Sequence, residues 1–340
     1  MASPVLRFNE KGQFRILMFS DIHAGKNCSQ KTVDGIETLL ANTNPDLVLI
    51  GGDQCLEKET PGEVRAYFMR IIEPVLKRNL PWAAIFGNHD RECGISVEEE
   101  QAVYESIPGC ISEAGPDDIN GTGNYCLTVF ANKADTPAYH IFALDSFSET
   151  RDYVRLFNIP KDTRFILPEH FGSAHAQASV MFDQVMWYFE ESERREREAN
   201  KKIPAIMTMH VPPIEFCLVD RNPEETDARG NRRECPACGE MNPGLFAACL
   251  QRGDVKGIFC GHEHLNDYQG TYCGITLAYD AAIGYNMSAH DDLRGGRIID
   301  LYENGFFTTK TVKLIDLMGK DAMRDPDYFE GGSRYIFRQL

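Results

Sequence analysis

The chain is poor in several things, and each shortage excludes a class. No apolar run reaches the roughly 18 residues that a membrane-spanning helix needs. The longest candidate near the start, Phe14 to Ser20, is too short and leads straight into polar chemistry. Basic residues are few: 35 Lys and Arg stand against 51 Asp and Glu, a formal charge of −16. Affinity for nucleic acid rests on neutralising phosphates with Lys and Arg, so this balance counts against a general nucleic-acid binder. With 28 glycines and 17 prolines, the chain is too ordered in composition for a low-complexity protein. The 11 cysteines are scattered without a paired framework. Met1 to Asn9 offers no basic stretch leading into an apolar one. We therefore expect reduced thiols and a cytoplasmic location. Histidine is scarce, at nine, so the places where it falls carry information. What remains is a chain of 340 residues, 43% hydrophobic and 25% charged. That is ordinary for a globular protein with a substantial core.

Apolar runs and periodicity supply the architecture. Phe14 to Ser20, Leu47 to Ile50 and Trp82 to Phe86 read as short buried strands. Helical spacing follows each: Val33, Ile36, Leu39 and Leu40; then Val64, Phe68, Ile71, Ile72 and Val75; then a helix over Val97 to Ile107. Strand–helix repeated three times argues an α/β fold. Asn124 to Phe130 and Tyr139 to Asp145 read as neighbouring strands, and Arg151 to His170 as a surface loop. A long helix is expected over Ala176 to Ala199. Its last third, Glu191 to Glu198, is a charge run of the kind a solvated helix face carries. Ala205 to Met209 and Val255 to Cys260 are further strands, with an inserted loop at Asp220 to Glu240 between them. A short helix is expected from Pro243 to Arg252, capped by Asn242. The remainder, Asp267 to Tyr272, Ile275 to Tyr279, Gly296 to Tyr302 and Phe306 to Lys313, reads as a run of antiparallel strands. No repeat and no flexible linker divides the chain, so one layered domain is expected over residues 1–313. The tail, 314–340, packs on it or extends from it.

Five of these strands end in the same chemistry. The first is followed by Asp21-Ile-His23, the second by Gly51-Gly-Asp53, the third by Gly87-Asn-His-Asp90. His210 follows Met209, and Gly261-His-Glu-His264 follows Cys260. Ligands of α/β sheets bind where strands end and side chains leave the core for a common crevice. Carboxylate, imidazole and amide oxygen are donors for borderline ions: Zn, Mn, Fe, Co or Ni. The candidates are Asp21, His23, Asp53, Asn88, His210, His262 and His264. Seven donors exceed one tetrahedral ion and fit two divalent or trivalent ions sharing a carboxylate.

In this order and spacing the motifs resemble those of the calcineurin-like metallophosphoesterases, across roughly residues 14 to 310. The resemblance implies a four-layer α/β/β/α sandwich with a dinuclear metal site at one edge of its central sheets. It implies that Asp21, His23, Asp53 and His264 hold the first ion, and that Asp53, Asn88, His210 and His262 hold the second. It implies that His89 protonates the leaving oxygen, while a metal-bridging hydroxide attacks phosphorus in line. Asp90 is a candidate to orient His89, or else a turn residue. Gln184 to Trp187, Asn242 to Phe246, Gly261 to Asp267 and Arg294 to Asp300 are similar to the branch related to purple acid phosphatases. Leu56 stands where purple enzymes carry the tyrosine that binds ferric iron, so a purple centre is not expected and the metal's identity stays open.

The expected substrate is a phosphomonoester or small phosphodiester, a phosphoprotein being one form that it takes. The alternatives are a nuclease of the same superfamily and a non-catalytic metal-binding scaffold. Neither a membrane nor nucleic acid is an expected partner. The charge argument bears on long nucleic acid alone. Two site carboxylates against two ions leave a locally positive pocket, suited to a small anionic ester. Cys235-Pro-Ala-Cys238 has zinc-knuckle spacing without a second CxxC at the usual distance, so free thiols are expected there. Asn27, Arg91, Asn266 and Tyr285 lie beside motifs and are candidates to touch substrate. His140, His170, His175 and His290 fall outside the pattern and are read as structural.

Overall fold

Strands buried on both faces read as unbroken apolar runs, and this property builds the centre of the protein. The computed structural model describes residues 4–148, 156, 160, 177–239, 241–287, 289–323 and 335–337. The first third runs β1 (Gln13–Phe19), α1 (Gln30–Thr43), β2 (Leu47–Ile50), α2 (Pro61–Leu76), β3 (Trp82–Ala84) and α3 (Val97–Glu105). Local chemistry sets the helix starts. Thr60 accepts a hydrogen bond from Glu63 N ahead of Pro61, and Ser96 and Glu99 form a reciprocal capping box. The middle adds β4 (Tyr125–Phe130), β5 (Pro137–Ala143) and α4 (Phe182–Ala199). Then come β6 (Ala205–Met209), α5 (Glu215–Arg221), β7 (Gly230–Arg232), α6 (Leu245–Arg252) and β8 (Val255–Cys260). The chain closes with β9 (Gln269–Tyr272), β10 (Ile275–Tyr279), β11 (Gly295–Tyr302), β12 (Phe307–Lys313), α7 (Leu314–Met318) and β13 (Tyr335–Phe337).

Two sheets face each other. One has five strands in the order β12-β11-β1-β2-β3, the other six in the order β4-β5-β6-β8-β10-β9. The period of two along each strand divides the core into layers. Ile16, Met18, Leu47, Leu49 and Ala83 point between the sheets, where they meet Ile141, Ala143, Ile206, Phe259 and Ala278. Their neighbours Leu17, Phe19, Val48, Ile50 and Trp82 point outward to Ile36, Leu39, Phe68 and Ile72 of α1 and α2. On the far side Met207, Met209, Ile258 and Leu277 meet Val185, Tyr188 and Phe246 of α4 and α6. The result is the four-layer α/β/β/α sandwich.

Several local expectations need correction. The last four strands do not form one antiparallel run. β9 pairs antiparallel with β10, but β10 lies parallel to β8, while β11 and β12 belong to the other sheet. The loop at 220–240 contains β7, whose partner is β13: Tyr335, Ile336 and Phe337 register with Arg232, Asn231 and Gly230. The short helix begins at Leu245, not Pro243, because Gly244 at φ 89° leaves the helical region. Asn242 accepts from Gly244 N at 2.9 Å instead of capping the helix. α4 starts at Phe182, six residues later than expected. Its charge run forms Arg194–Glu191, Arg194–Glu198, Arg195–Glu191 and Arg197–Glu193 pairs at i,i+3 and i,i+4 spacing, as a solvated face does. The loop expected over 151–170 lies almost wholly outside the described residues, as do His170 and His175.

Candidate metal and active site

Parallel pairing sets the site. β1, β2 and β3 are parallel neighbours, and so are β6, β8 and β10. Their carboxyl ends therefore reach the same edge of the sandwich, and a bridge between Ser20 and Ala282 joins the two sheets there. Asp21, His23, Asp53, Asn88, His210, His262 and His264 each follow one of these ends.

The backbone is strained where it delivers these groups. Asp21, His23, Asp53 and His262 adopt left-handed φ of 52°, 47°, 54° and 74°. Such conformations cost non-glycine residues energy and persist where the surroundings over-determine them, as at ligand clamps. Two glycines permit the close approach. A Cβ on Gly87 would lie 2.1 Å from Asp53 Oδ1, and one on Gly52, at φ +104°, would lie 2.3 Å from His210 Nδ1.

Among the described residues, one group of donors is close enough to share an ion. It comprises Asp21, His23, Asp53 and His264, whose ligand atoms all lie within 4.8 Å of one another. A second set lies beside it. Asn88 Oδ1 is 3.2 Å from His210 Nε2 and 2.9 Å from His262 Nδ1, and His210 Nε2 is 3.2 Å from Asp53 Oδ2. Asp53 Oδ2 is also 3.6 Å from His23 Nε2, so it stands between the two sets. Two buried atoms at this point have no hydrogen-bond partner among the described residues: Asp53 Oδ2 and His23 Nε2. A buried carboxylate oxygen and an imidazole nitrogen left unsatisfied side by side are costly unless something else binds them. Oxygen and nitrogen donors without sulfur suit a borderline cation, so the residues fit a metal.

The electrostatics agree. Burial pushes the Asp21 carboxyl up, but His264 and His210 outweigh it and hold it at about 2. Burial likewise opposes ionisation of Asp53, which His210, His23 and His89 hold well below the usual carboxylate range. Burial lowers His210, but Asp53 and Asp21 raise it further, to about 10. The metal-free site thus holds an imidazolium against two carboxylates, and a metal must displace that proton to use His210 Nε2. The sign follows: protons compete with metal, so affinity rises with pH and metal leaves as pH falls. Metal loading near neutrality is expected to release about one or two protons per chain. Titration calorimetry in buffers of different ionisation heat measures this number, and a value of zero would contradict the assignment of His210.

The surroundings include residues that sequence reading missed. Ser20 donates to Asp21 Oδ2 and lies 2.7 Å from Asp280 Oδ1. Asp280 follows β10, so the same strand-end rule would have found it had that strand been read as parallel. Burial and Asp21 push the Asp280 carboxyl well up, the direction that eases a third negative charge beside the site. Glu263, between the two histidines of its motif, accepts from Ala237 N. Asn266 Oδ1 accepts from Arg233 N at 3.0 Å and Glu234 N at 3.2 Å, tying the 220–240 segment to the metal loop. Asn266 is therefore a buried clamp. Tyr285 is also buried and donates to Ala322 O at 2.6 Å, Arg91 pairs with Asp145 and stacks on Phe147, and Asn27 O receives Asn286 Nδ2.

Of the two roles expected for Asp90, its contacts match the structural one. Its Oδ2 accepts from Asp53 N and Gly87 N, both at 2.9 Å, and its Oδ1 from Gln54 N at 3.1 Å and Lys58 Nζ at 3.3 Å. These donors fix the loop that carries Asp53 and use up the carboxylate. The His89 ring is met by Glu92 instead, with Oε2 2.6 Å from Nδ1. The CxxC pair is also re-partnered. Cys238 Sγ lies 3.5 Å from Cys217 Sγ, while Cys235 is exposed beside Arg232.

The comparisons with known proteins point the same way. The chain is 29% identical over 314 residues to the Arabidopsis thaliana protein named "Probable inactive purple acid phosphatase 14", covering 83% of this chain and 73% of that one. It is 24% identical over 296 residues to Phosphatase DCR2 of Saccharomyces cerevisiae, covering 77% of this chain and 46% of that one. Its fold is similar to that of a dimetal phosphatase from Danio rerio, with a TM-score of 0.56 at 12% identity over 88% of this chain and 97% of that one. The family described as Calcineurin-like phosphoesterase matches residues 14–266, and the chain belongs to that family.

Proposed function

We propose that the chain hydrolyses a phosphomonoester or small phosphodiester at two metal ions. Asp21, His23, Asp53 and His264 would hold the first ion, and Asp53, Asn88, His210 and His262 the second, with His89 as general acid. The observation that carries this reading is the position of Asp53 Oδ2, buried between the two donor sets, 3.2 Å from His210 Nε2 and 3.6 Å from His23 Nε2, with no well-formed hydrogen bond on it or on His23 Nε2 among the described residues. Bound ions supply Lewis acidity for the phosphate oxygens and a nucleophile from water at neutral pH.

The residues of the chain supply the rest. His210 Nδ1 lies 2.7 Å from Gly51 O, which presents Nε2 to the site. Asp53 Oδ1 accepts from His89 N at 2.9 Å, so the carboxylate between the donor sets also anchors the proposed acid. The His89 ring packs edge-on to His23 at 5.2 Å between centroids. Burial lowers His89, but Asp53 and Glu92 raise it above the ordinary histidine value, the direction that favours the protonated ring a general acid needs. No helix among the described residues is long and apolar enough to cross a membrane. We take the setting to be cytoplasmic, where scattered thiols stay reduced.

The name of the Arabidopsis relative favours a second reading, a metal-binding scaffold without turnover. One assay separates the two. The purified chain is loaded with Mn²⁺, Zn²⁺, Co²⁺ or Fe²⁺ and given p-nitrophenyl phosphate, its bis ester and a short DNA at low salt. Hydrolysis of a small ester that stops on chelation and returns with metal is expected. Full metal occupancy without turnover of any ester would establish the scaffold, and turnover of DNA alone would make the protein a nuclease.

A further inference from the structure

His89 opens a single 3₁₀ turn, His89–Arg91, and Glu92 ends it. In a 3₁₀ turn residues i and i+3 eclipse, so the two side chains stand on the same side. Glu92 Oε2 thereby comes within 2.6 Å of His89 Nδ1. The His89 main chain is already fixed, since its N–H donates to Asp53 Oδ1. What remains free is rotation of the ring and the choice of which nitrogen carries the proton. A carboxylate only accepts, so the contact settles both: Nδ1 is the donor, and Nε2 is left for an ester oxygen. Asp90 cannot take this part, because its oxygens already receive the Asp53, Gly87, Gln54 and Lys58 donors.

Building on the reading of His89 as general acid, we propose that Glu92 is the positioning residue of His89, accepting the Nδ1–H of the imidazolium and aiming its Nε2–H at the leaving oxygen. In the proton transfer the Nε2–H bond breaks and an O–H bond forms on the departing group. The ring is left neutral, with its Nδ1–H still donated to an ionised Glu92. Glu92 takes no proton, as in the orienting role of a carboxylate behind a catalytic imidazole. The sequence offers a faint trace, a Glu three residues after the candidate acid, but the adjacent Asp90 hides it.

The test uses the metal-loaded full chain and two esters, phenyl phosphate with a poor leaving group and p-nitrophenyl phosphate with a good one. Glu92→Ala is expected to lower kcat on phenyl phosphate by about tenfold to a hundredfold, with KM little changed and p-nitrophenyl phosphate affected less than about threefold. Glu92→Gln, which keeps an acceptor oxygen, is expected to recover part of the loss. In a His89→Asn background, Glu92→Ala is expected to cost nothing more. A second readout needs no turnover. In ¹⁵N spectra of the metal-free, histidine-labelled chain at a pH high enough to leave the ring neutral, the His89 signals, assigned by their loss in His89→Asn, are expected to report a proton on Nδ1 and to move towards the other tautomer in Glu92→Ala. Equal losses on both esters, a further loss in the His89→Asn background, or unmoved ¹⁵N signals would each overturn the proposal. If His89→Asn itself slows both esters equally, the general-acid reading fails, and the ¹⁵N shift alone then decides whether Glu92 holds the ring.

Discussion

Replacing Asp53 by asparagine is expected to strip the site of metal and to slow hydrolysis by about a thousandfold or more, with the fold retained. The substitution is nearly isosteric, so the packing around Asp53 is kept. An amide oxygen can still accept from His89 N, as Oδ1 does now at 2.9 Å. What changes is the other atom. Oδ2 lies 3.2 Å from His210 Nε2 and 3.6 Å from His23 Nε2, and it has no hydrogen-bond partner among the described residues. An NH₂ group there points donors where a cation needs an acceptor, and the site loses one of its two ionised carboxylates. Both proposed donor sets would use this atom, so a single change is expected to weaken both. The metal-free fold loses some stability too, because burial opposes the Asp53 charge but His210, His23 and His89 outweigh it and hold the carboxyl ionised; Asp21 remains as a partner for His210. Metal analysis of the purified variant reads the stoichiometry, and thermal unfolding without metal reads the fold. Full occupancy with a rate within about threefold of the parent would remove Asp53 from the centre of the site.

The layered core was legible in the sequence because strands buried on both faces cannot be written any other way. Leu47 to Ile50 is apolar at every position and Ala205 to Met209 at all but Thr208, and both appear where the runs place them. The convergence of Asp21, Asp53, Asn88, His210 and His264 was legible for a related reason. Parallel strands all deliver their carboxyl ends to one edge, so a list of strand ends is already a list of neighbours. Pairing direction itself was not legible. Ile275 to Tyr279 has the composition of any strand, and its parallel partner, β8, is chosen by tertiary packing. Asp280 was overlooked as a consequence. Side-chain choice among adjacent residues was not legible either. Asp90 and Glu92 are both acids next to His89, and only the 3₁₀ geometry turns one towards the ring and the other into the loop. The β7–β13 pairing joins segments about a hundred residues apart, a contact that no local pattern encodes.

Removing the Asp90 side chain is expected to damage stability and metal binding together, and this separates its structural role from a catalytic one. Asp90 is fully buried, and so is its partner Lys58, at 0% exposure each. Lys58 also pairs with Glu100, whose carboxyl is pushed up to about 7 by burial and by Asp90, and Glu100 accepts from Tyr104 at 2.5 Å. In Asp90→Ala the amides of Asp53, Gln54 and Gly87 lose their acceptor, and the Lys58 ammonium keeps only one carboxylate. Breaking a buried charge pair by deleting one partner costs about 3–5 kcal/mol, because the other charge stays buried. The Coulombic push of Asp90 on Glu100 disappears at the same time, and the relief offsets part of that loss. Asparagine should recover little, since one of its two polar atoms is a donor facing donors. Urea unfolding of the metal-free chain should show a lower midpoint at an unchanged slope. The loop that bends through Asp53 at φ 54° loses the carboxylate that holds its amides, so metal affinity should fall with stability. A variant with the parent's stability and metal content, but a rate lost selectively on esters with poor leaving groups, would instead return Asp90 to the side of His89.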